Sequence, residues 1–170
     1  MDLKKYILDV KDFPKPGIVF KDITPLLNDV KAFQYAVDQM AKFVKECNAN
    51  VVVAPEARGF LLASAVAYAA QVRFVLVRKP NKLPREVYDV KYDLEYGSDH
   101  LQMHKNDLQP DDQVVIIDDV LATGGTMHAI IELVEKHQAK VAGISFLLDL
   151  EFLHDDDLFS QYKLQKIIKY

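Results

Sequence analysis

"IIDDVLATGGTMHA", residues 116–129, ends an apolar run in two adjacent carboxylates and then sets two glycines between threonines. Val114 to Ile117 reads as a strand and Met127 onward as a helix, so Asp118 to Thr126 is expected as the loop between them. Such a loop lies at the carboxyl end of a strand, where α/β folds bind their ligands. Gly124 and Gly125 lack a Cβ, which permits positive φ and lets successive N–H groups turn toward one anion. The helix start adds free amides and the positive dipole end, and Thr123 and Thr126 add hydroxyl donors. A phosphate satisfies all of these groups. No lysine follows the glycines, and the six glycines of the chain nowhere form G-x-G-x-x-G, which weakens triphosphate and dinucleotide readings. Asp118 and Asp119 need uncharged donors, and neighbouring sugar hydroxyls supply them. The implied ligand is a ribose 5-phosphate. Chemistry alone leaves a bland alternative open, a capped strand-to-helix turn with no ligand.

Outward from this stretch, helices alternate with apolar runs. Val30 to Cys47 has the three-and-four spacing of an amphipathic helix, through Phe33, Ala36, Val37, Met40, Phe43 and Val44. "NVVVAP" reads as a buried strand, Gly59 to Ala70 as a buried helix and "RFVLVR" as a second strand. Residues 79 to 113 lack long apolar runs and carry Pro80, Pro84 and Pro110, so a flexible loop and a hairpin are expected there. "QVVIID" is a third strand, Thr126 to Gln138 a helix, "AKVAGISFLLD" a fourth strand and "YKLQKIIKY" a short terminal one. The order implies an α/β fold, a mainly parallel sheet covered by helices on both faces. Asp155 to Asp157 reads as a solvated turn, and no internal repeat stands out.

The 170 residues, half of them apolar, suit one domain with a sizeable core. No window approaches the ~20 apolar residues of a membrane span, so the expectation is a cytoplasmic protein without a membrane partner. Cys47 is the sole cysteine, which excludes an internal disulfide and a cysteine-based zinc site. A net charge of −4 argues against nucleic acid as a partner. The charge is uneven, however: Arg73 to Arg85 holds five basic residues and no acid. His100 and His104 stand four apart, but Leu101 occupies the place where H-E-x-x-H needs glutamate, and a hairpin does not converge that spacing.

"VVIIDDVLATGGT" resembles the phosphoribosyl-diphosphate motif of the type I phosphoribosyltransferases. The resemblance implies that fold, as one domain over 1–170 with a small hood at 1–29 and a flexible loop and hairpin at 79–104. It also implies Asp118 and Asp119 on the ribose hydroxyls, and Ala122, Thr123, Gly124, Gly125 and Thr126 around the 5-phosphate. "FPKPGIVFKDITPLL", 13–27, is similar to the N-terminal signature of the adenine phosphoribosyltransferases within that family. By that likeness the backbone of Val19 and Lys21 reads the purine edge and Phe20 lies against the ring. A main-chain pair suits adenine N1 and N6 and rejects a 6-oxopurine, whose pattern is the reverse.

"PEARGF", 55–60, matches the same family and implies Arg58 at the diphosphate. "VRKPNKLPREVY", 77–88, resembles its mobile loop, making Arg78, Lys79 and Lys82 candidates to neutralise the leaving diphosphate, with a cross-subunit role in a homodimer. "YDLEYGSD", 92–99, carries the acid Glu95, which the resemblance sets on adenine N7–H, followed by Tyr96 in the base site. His104 either touches diphosphate or packs, and is included with the substrate-binding set. Ala54 and Ala63, where glycine is frequent, are expected to tighten the diphosphate turn, and Arg85 to stiffen or further charge the loop. Adenine, phosphoribosyl diphosphate and AMP are the implied ligands, with Mg²⁺ held mainly through substrate oxygens and water. Two rival readings stand beside this: transfer to a 6-oxopurine with Lys21 as a cation over the base edge, and a regulator that binds phosphoribosyl diphosphate without chemistry.

Overall fold

The computed structural model describes residues 1–94 and 96–170, so Glu95 lies outside the described residues. The chain opens with a hairpin of β1 (Leu8–Lys11) and β2 (Val19–Asp22), followed by the short helix α1 (Thr24–Leu27). Then come α2 (Val30–Glu46), β3 (Val51–Pro55), α3 (Arg58–Ala70) and β4 (Arg73–Val77). A second hairpin, β5 (Val87–Asp93) and β6 (Ser98–His104), precedes β7 (Gln113–Leu121), α4 (Gly125–Lys136), β8 (Lys140–Asp149) and β9 (Leu164–Lys169).

Five strands form one parallel sheet in the order β4-β3-β7-β8-β9. Period-two alternation sorts its side chains. Val52, Ala54, Val115 and Ile117 face α2 and α3, whereas Val51, Val53, Val114 and Ile116 face α4 and the second hairpin. Strands buried on both faces must be apolar throughout, which is why "VVVAP" and "VVII" carry no polar residue. Helix α2 matches its apolar spacing and is capped by Asp29, whose side chain accepts from the Ala32 amide at 2.8 Å. Leu3, Ile23 and Leu26 bury the first 29 residues against the same core.

Two expectations bear on the site, and the first needs correction. Strand β7 does not end at the acids: it runs on to Leu121, because β8 continues to pair with it through Asp118↔Phe146, Val120↔Leu148 and Leu121↔Asp149. Asp118 and Asp119 therefore stand on a strand, and the turn itself is only Ala122–Gly124. Residues 79–113 are also more regular than their prolines suggest. The β5–β6 pairing keeps an unbroken register from Val87↔His104 to Asp93↔Ser98, and it buries Val90, Leu101 and Met103 against α4.

Candidate active site

At the carboxyl ends of β3 and β7 a cleft of about 430 Å³ opens between the Glu56–Gly59 turn and Asp118, Asp119 and Thr126. Gly59 makes their approach possible, since a Cβ there would lie 3.1 Å from Asp118 Oδ1 and 3.1 Å from the Pro55 ring. Arg58 Nε sits 2.7 Å from Asp119 Oδ2, off the line of its N–H bond, so the two are charge-paired without an aligned hydrogen bond. The Asp119 amide donates to Asp118 Oδ1 at 2.8 Å. Burial, and then the charge of Asp119, push the Asp118 carboxyl well above its ordinary value.

That shift has a stability consequence. A group whose folded pKa is raised contributes its full stability below its unfolded value, here 3.8, and loses that contribution as pH rises through the folded one. At neutral pH Asp118 is thus a cost to the ligand-free protein. Asp118→Asn is expected to raise the Tm of the free protein at neutral pH while lowering turnover; a reduced Tm in a thermal melt would contradict the assignment.

Next to this cleft, Ala122 to Thr126 enclose a small pocket of about 80 Å³. Gly124 takes φ +90, which turns the chain into α4, and the first turn of that helix offers its free amides. On the opposite rim, β2 brings Phe20 beneath Arg58, whose guanidinium lies 5.0 Å from the ring centroid. Phe13 meets Phe20 edge-on at 5.2 Å. Lys21 is committed elsewhere: its Nζ donates to Asp9 at 2.7 Å and stands 3.9 Å over the Tyr170 ring. Val19 and Tyr96 are exposed.

The basic loop residues converge on an acid that sequence reasoning passed over. Glu56, half-buried just after β3, accepts from the Lys79 amide at 2.7 Å and from Arg78 Nε at 3.2 Å, with Lys82 Nζ on its other oxygen. Burial alone would raise its pKa, but Lys82, the Lys79 amide and Arg78 together draw it below the ordinary value. The Lys79 side chain pairs with Asp99 at 2.9 Å. Glu56 lies inside the quoted "PEARGF", but its partners are supplied by β4 and the loop beyond it, so local sequence carried no signal for the pairing.

His104 does not join the site. Its backbone oxygen meets His137 Nε2 at 2.9 Å, and His137 caps the far end of α4, roughly 18 Å along the helix from Gly124. The ring is buried with Arg85, 2.8 Å from its Nδ1, and Asp107, at 3.1 Å. The hairpin register, not the count along the chain, places it there, and of the two expectations for His104, diphosphate contact or packing, the contacts of its ring agree with packing. Arg85 is thereby a stiffening contact of the loop. Ala54 and Ala63 are fully buried in the core beneath the turn and neither lines the cleft.

Among the described residues no group of three or more His, Cys, Asp or Glu side chains forms a metal cage, and no helix is long and apolar enough to cross a membrane. Among the described residues the cleft wall nevertheless sets Asp118 and Asp119 against Arg58, with Glu56 already paired by Arg78 and Lys82. A polyanionic ligand meets that wall favourably only with an added cation, so Mg²⁺ carried on substrate oxygens fits the donor set. A second hollow of about 480 Å³ lies between the N-terminal turn and β9. There the Gln165 side chain is already partnered by Ser145 and the Gln39 carbonyl, and no phosphate turn is present.

With this geometry in hand, comparison with known proteins is informative. Residues 27–169 match the phosphoribosyl transferase domain family. The chain is 71% identical over its full 170 residues, and all of the relative's length, to an adenine phosphoribosyltransferase of Mycoplasma mycoides subsp. mycoides. A Desulfitobacterium hafniense adenine phosphoribosyltransferase is 50% identical, with 100% of this chain and 98% of that protein covered. The crystal structure of the Thermoanaerobacter pseudethanolicus adenine phosphoribosyltransferase superposes with TM-score 0.95 at 46% identity, covering 99% of this chain and 98% of that one. The Saccharomyces cerevisiae enzyme, solved with an imino-altritol bisphosphate and adenine, gives TM-score 0.91 at 34% identity, with 98% and 96% covered.

Proposed function

The chain belongs to the phosphoribosyltransferase family, among its adenine phosphoribosyltransferases, and from that premise we propose how its residues divide the work. The reaction joins adenine to 5-phosphoribosyl 1-diphosphate and yields AMP and diphosphate, a purine-salvage step. The bond from the anomeric carbon to the diphosphate oxygen breaks, the bond to adenine N9 forms, and diphosphate leaves with the electron pair. No strong base is demanded, so positioning and electrostatic stabilisation dominate.

One observation carries the assignment of roles: the paired acids of β7 open directly into the Ala122–Thr126 turn, with Arg58 across the cleft. In our reading Asp118 and Asp119 hold the ribose hydroxyls and face the positive charge that develops on the sugar. The turn holds the 5-phosphate, and Arg58 exchanges Asp119 for the diphosphate. Phe20 lies against the base, with the backbone of Val19 and Lys21 at its edge and Tyr96 nearby. Glu95 accepts a hydrogen bond from adenine N7–H, keeping the N9 lone pair free, and takes that proton as the bond to N9 forms. Arg78, Lys79 and Lys82, which Glu56 and Asp99 gather into one cluster, turn to the diphosphate when the loop closes and water is excluded. Mg²⁺ held through substrate oxygens would offset charge on the leaving group.

The reading includes a single domain working in the cytoplasm as a homodimer. Leu61 and Tyr68, 48% and 88% exposed and seven residues apart on the outer face of α3, are apolar surface that a second copy would cover. Engagement of Lys21 by Asp9 and Tyr170 weighs against the 6-oxopurine alternative, which needs that ammonium over the base. The direct test supplies Mg²⁺, phosphoribosyl diphosphate and adenine, hypoxanthine, guanine or xanthine in separate reactions, with products separated by chromatography. AMP from adenine alone is expected. Product from a 6-oxopurine would overturn the base reading, and binding of phosphoribosyl diphosphate without any product would overturn the proposed division of catalytic roles.

A further inference from the structure

The residues that press on the phosphate turn come from a segment given no role so far, 150–162. A Cβ on Gly124 would lie 2.9 Å from Leu158 Cδ2, 3.2 Å from Phe159 Cε2 and 3.3 Å from Phe159 Cζ. Phe159 is 2% exposed and sits 4.6 Å, ring to ring, from His128 in α4. It also holds φ +65, a left-handed conformation that bulky residues seldom take and that persists only where surrounding contacts enforce it. Successive turns carry it there, with the Leu158 amide donating to the Asp155 carbonyl at 3.1 Å and the Tyr162 amide to the Phe159 carbonyl at 3.0 Å.

The segment is anchored where the sheet ends. Asp149, the last residue of β8, is wholly buried; its Oδ1 lies 2.7 Å from His154 Nε2 and its Oδ2 lies 2.8 Å from Lys166 Nζ on β9. His154 Nδ1 stands 2.9 Å from the Asp155 carbonyl. Burial opposes charge on this imidazole, but the Asp155 carbonyl and the Asp149 carboxylate outweigh it and raise the His154 pKa. The Leu150 amide donates to the Leu121 carbonyl at 3.0 Å, tying the segment to the end of β7 as well. A buried carboxylate with His154 at one oxygen and Lys166 at the other is a rigid anchor, because removing either partner leaves buried charge poorly matched.

We infer that Phe159 is a positioning residue for the sugar phosphate: its ring and the Leu158 side chain form the wall that holds Gly124 in place and so aims the amides of the turn. This rests on the reading of Ala122–Thr126 as the 5-phosphate site. Glycines permit the conformation of that turn but do not select it, since glycine visits both signs of φ readily. The selection comes from Phe159, whose own position is set by the Asp149–His154–Lys166 anchor. Diphosphate and base lie against other elements, so loss of the wall acts on one end of the substrate only.

Phe159→Leu, Leu158→Ala and Thr126→Ala separate these statements. Calorimetry measures Kd for ribose 5-phosphate and for inorganic diphosphate, steady-state kinetics measure KM for phosphoribosyl diphosphate and for adenine, and a melt gives Tm. Phe159→Leu is expected to raise Kd for ribose 5-phosphate and KM for phosphoribosyl diphosphate about tenfold, through misaimed donors. Diphosphate Kd and adenine KM stay unchanged, and Leu158→Ala repeats the pattern if Phe159→Leu does not fold. Equal weakening of all ligands together with a fall in Tm overturns the inference, because it marks a merely structural residue. Unchanged ribose 5-phosphate binding in Phe159→Leu, with weakening in Thr126→Ala, overturns the inference and leaves the phosphate site standing. No weakening in Thr126→Ala either would remove the phosphate site and the inference together.

Discussion

Arg58→Leu is expected to lower kcat/KM for phosphoribosyl diphosphate by about 10³-fold, near the upper end of losses seen when one charge-stabilising donor is removed from an active site. Among the described residues that line the cleft, Arg58 is the basic side chain that faces Asp118 and Asp119. Its removal leaves the Asp119 side chain, 6% exposed, without its counter-ion before substrate arrives, and leaves the departing diphosphate without a fixed cation afterwards. Both effects act on the same rate. Arg58→Lys keeps the charge but not the planar fork, so it should recover only part of the loss. Kinetics at saturating adenine decide the matter: a loss in Arg58→Leu smaller than about tenfold would mean that other cations carry the leaving group.

Gly124→Ala is the second large effect. The position has φ +90, where an L-residue pays for its Cβ, and the added carbon would lie 2.9 Å from Leu158. The two penalties together should cost on the order of 1–3 kcal/mol of stability, or be relieved by a shift of the turn. A shift of that kind misplaces the phosphate donors, so KM for phosphoribosyl diphosphate is expected to rise about 10²-fold. Gly125→Ala is the control. Its Cβ would meet the Asp93 carbonyl at 3.4 Å, an ordinary contact, and its φ is not in the left-handed region. Equal effects at the two glycines would refute the conformational explanation.

How far the site was legible along the chain depends on how local each constraint is. Asp118, Asp119 and the glycine turn are contiguous, and their chemistry needs only that a strand precede and a helix follow. Arg58 follows β3 in the same way. Glu56 was quoted and passed over, because its cationic partners stand 22 to 26 residues further on and β4 must pair with β3 before they meet it. His104 was left between diphosphate and packing for a related reason: nearness in sequence to the loop hid a hairpin register that carries it to the far end of α4.

The fold divides along a similar line. Periodicity suffices for α2, α3, α4 and the parallel strands, since apolar spacing of 3.6 or 2 records which side of each element meets the core. It does not say where a strand stops. The end of β7 at Leu121 follows from its ladder with β8, which offsets the weak strand preference of two aspartates. Nor does periodicity say what stands behind a turn. Asp155 to Asp157 reads as a solvated turn, and the Phe159 just beyond it becomes the wall of the phosphate turn only once Asp149, His154 and Lys166 have closed their buried cluster. The chemical groups of the site, and most of the elements that carry them, were thus set by local residue pattern. Their pairing, their orientation and the support behind them were decided by tertiary contacts, because those free energies arise only between residues that the folded chain brings together.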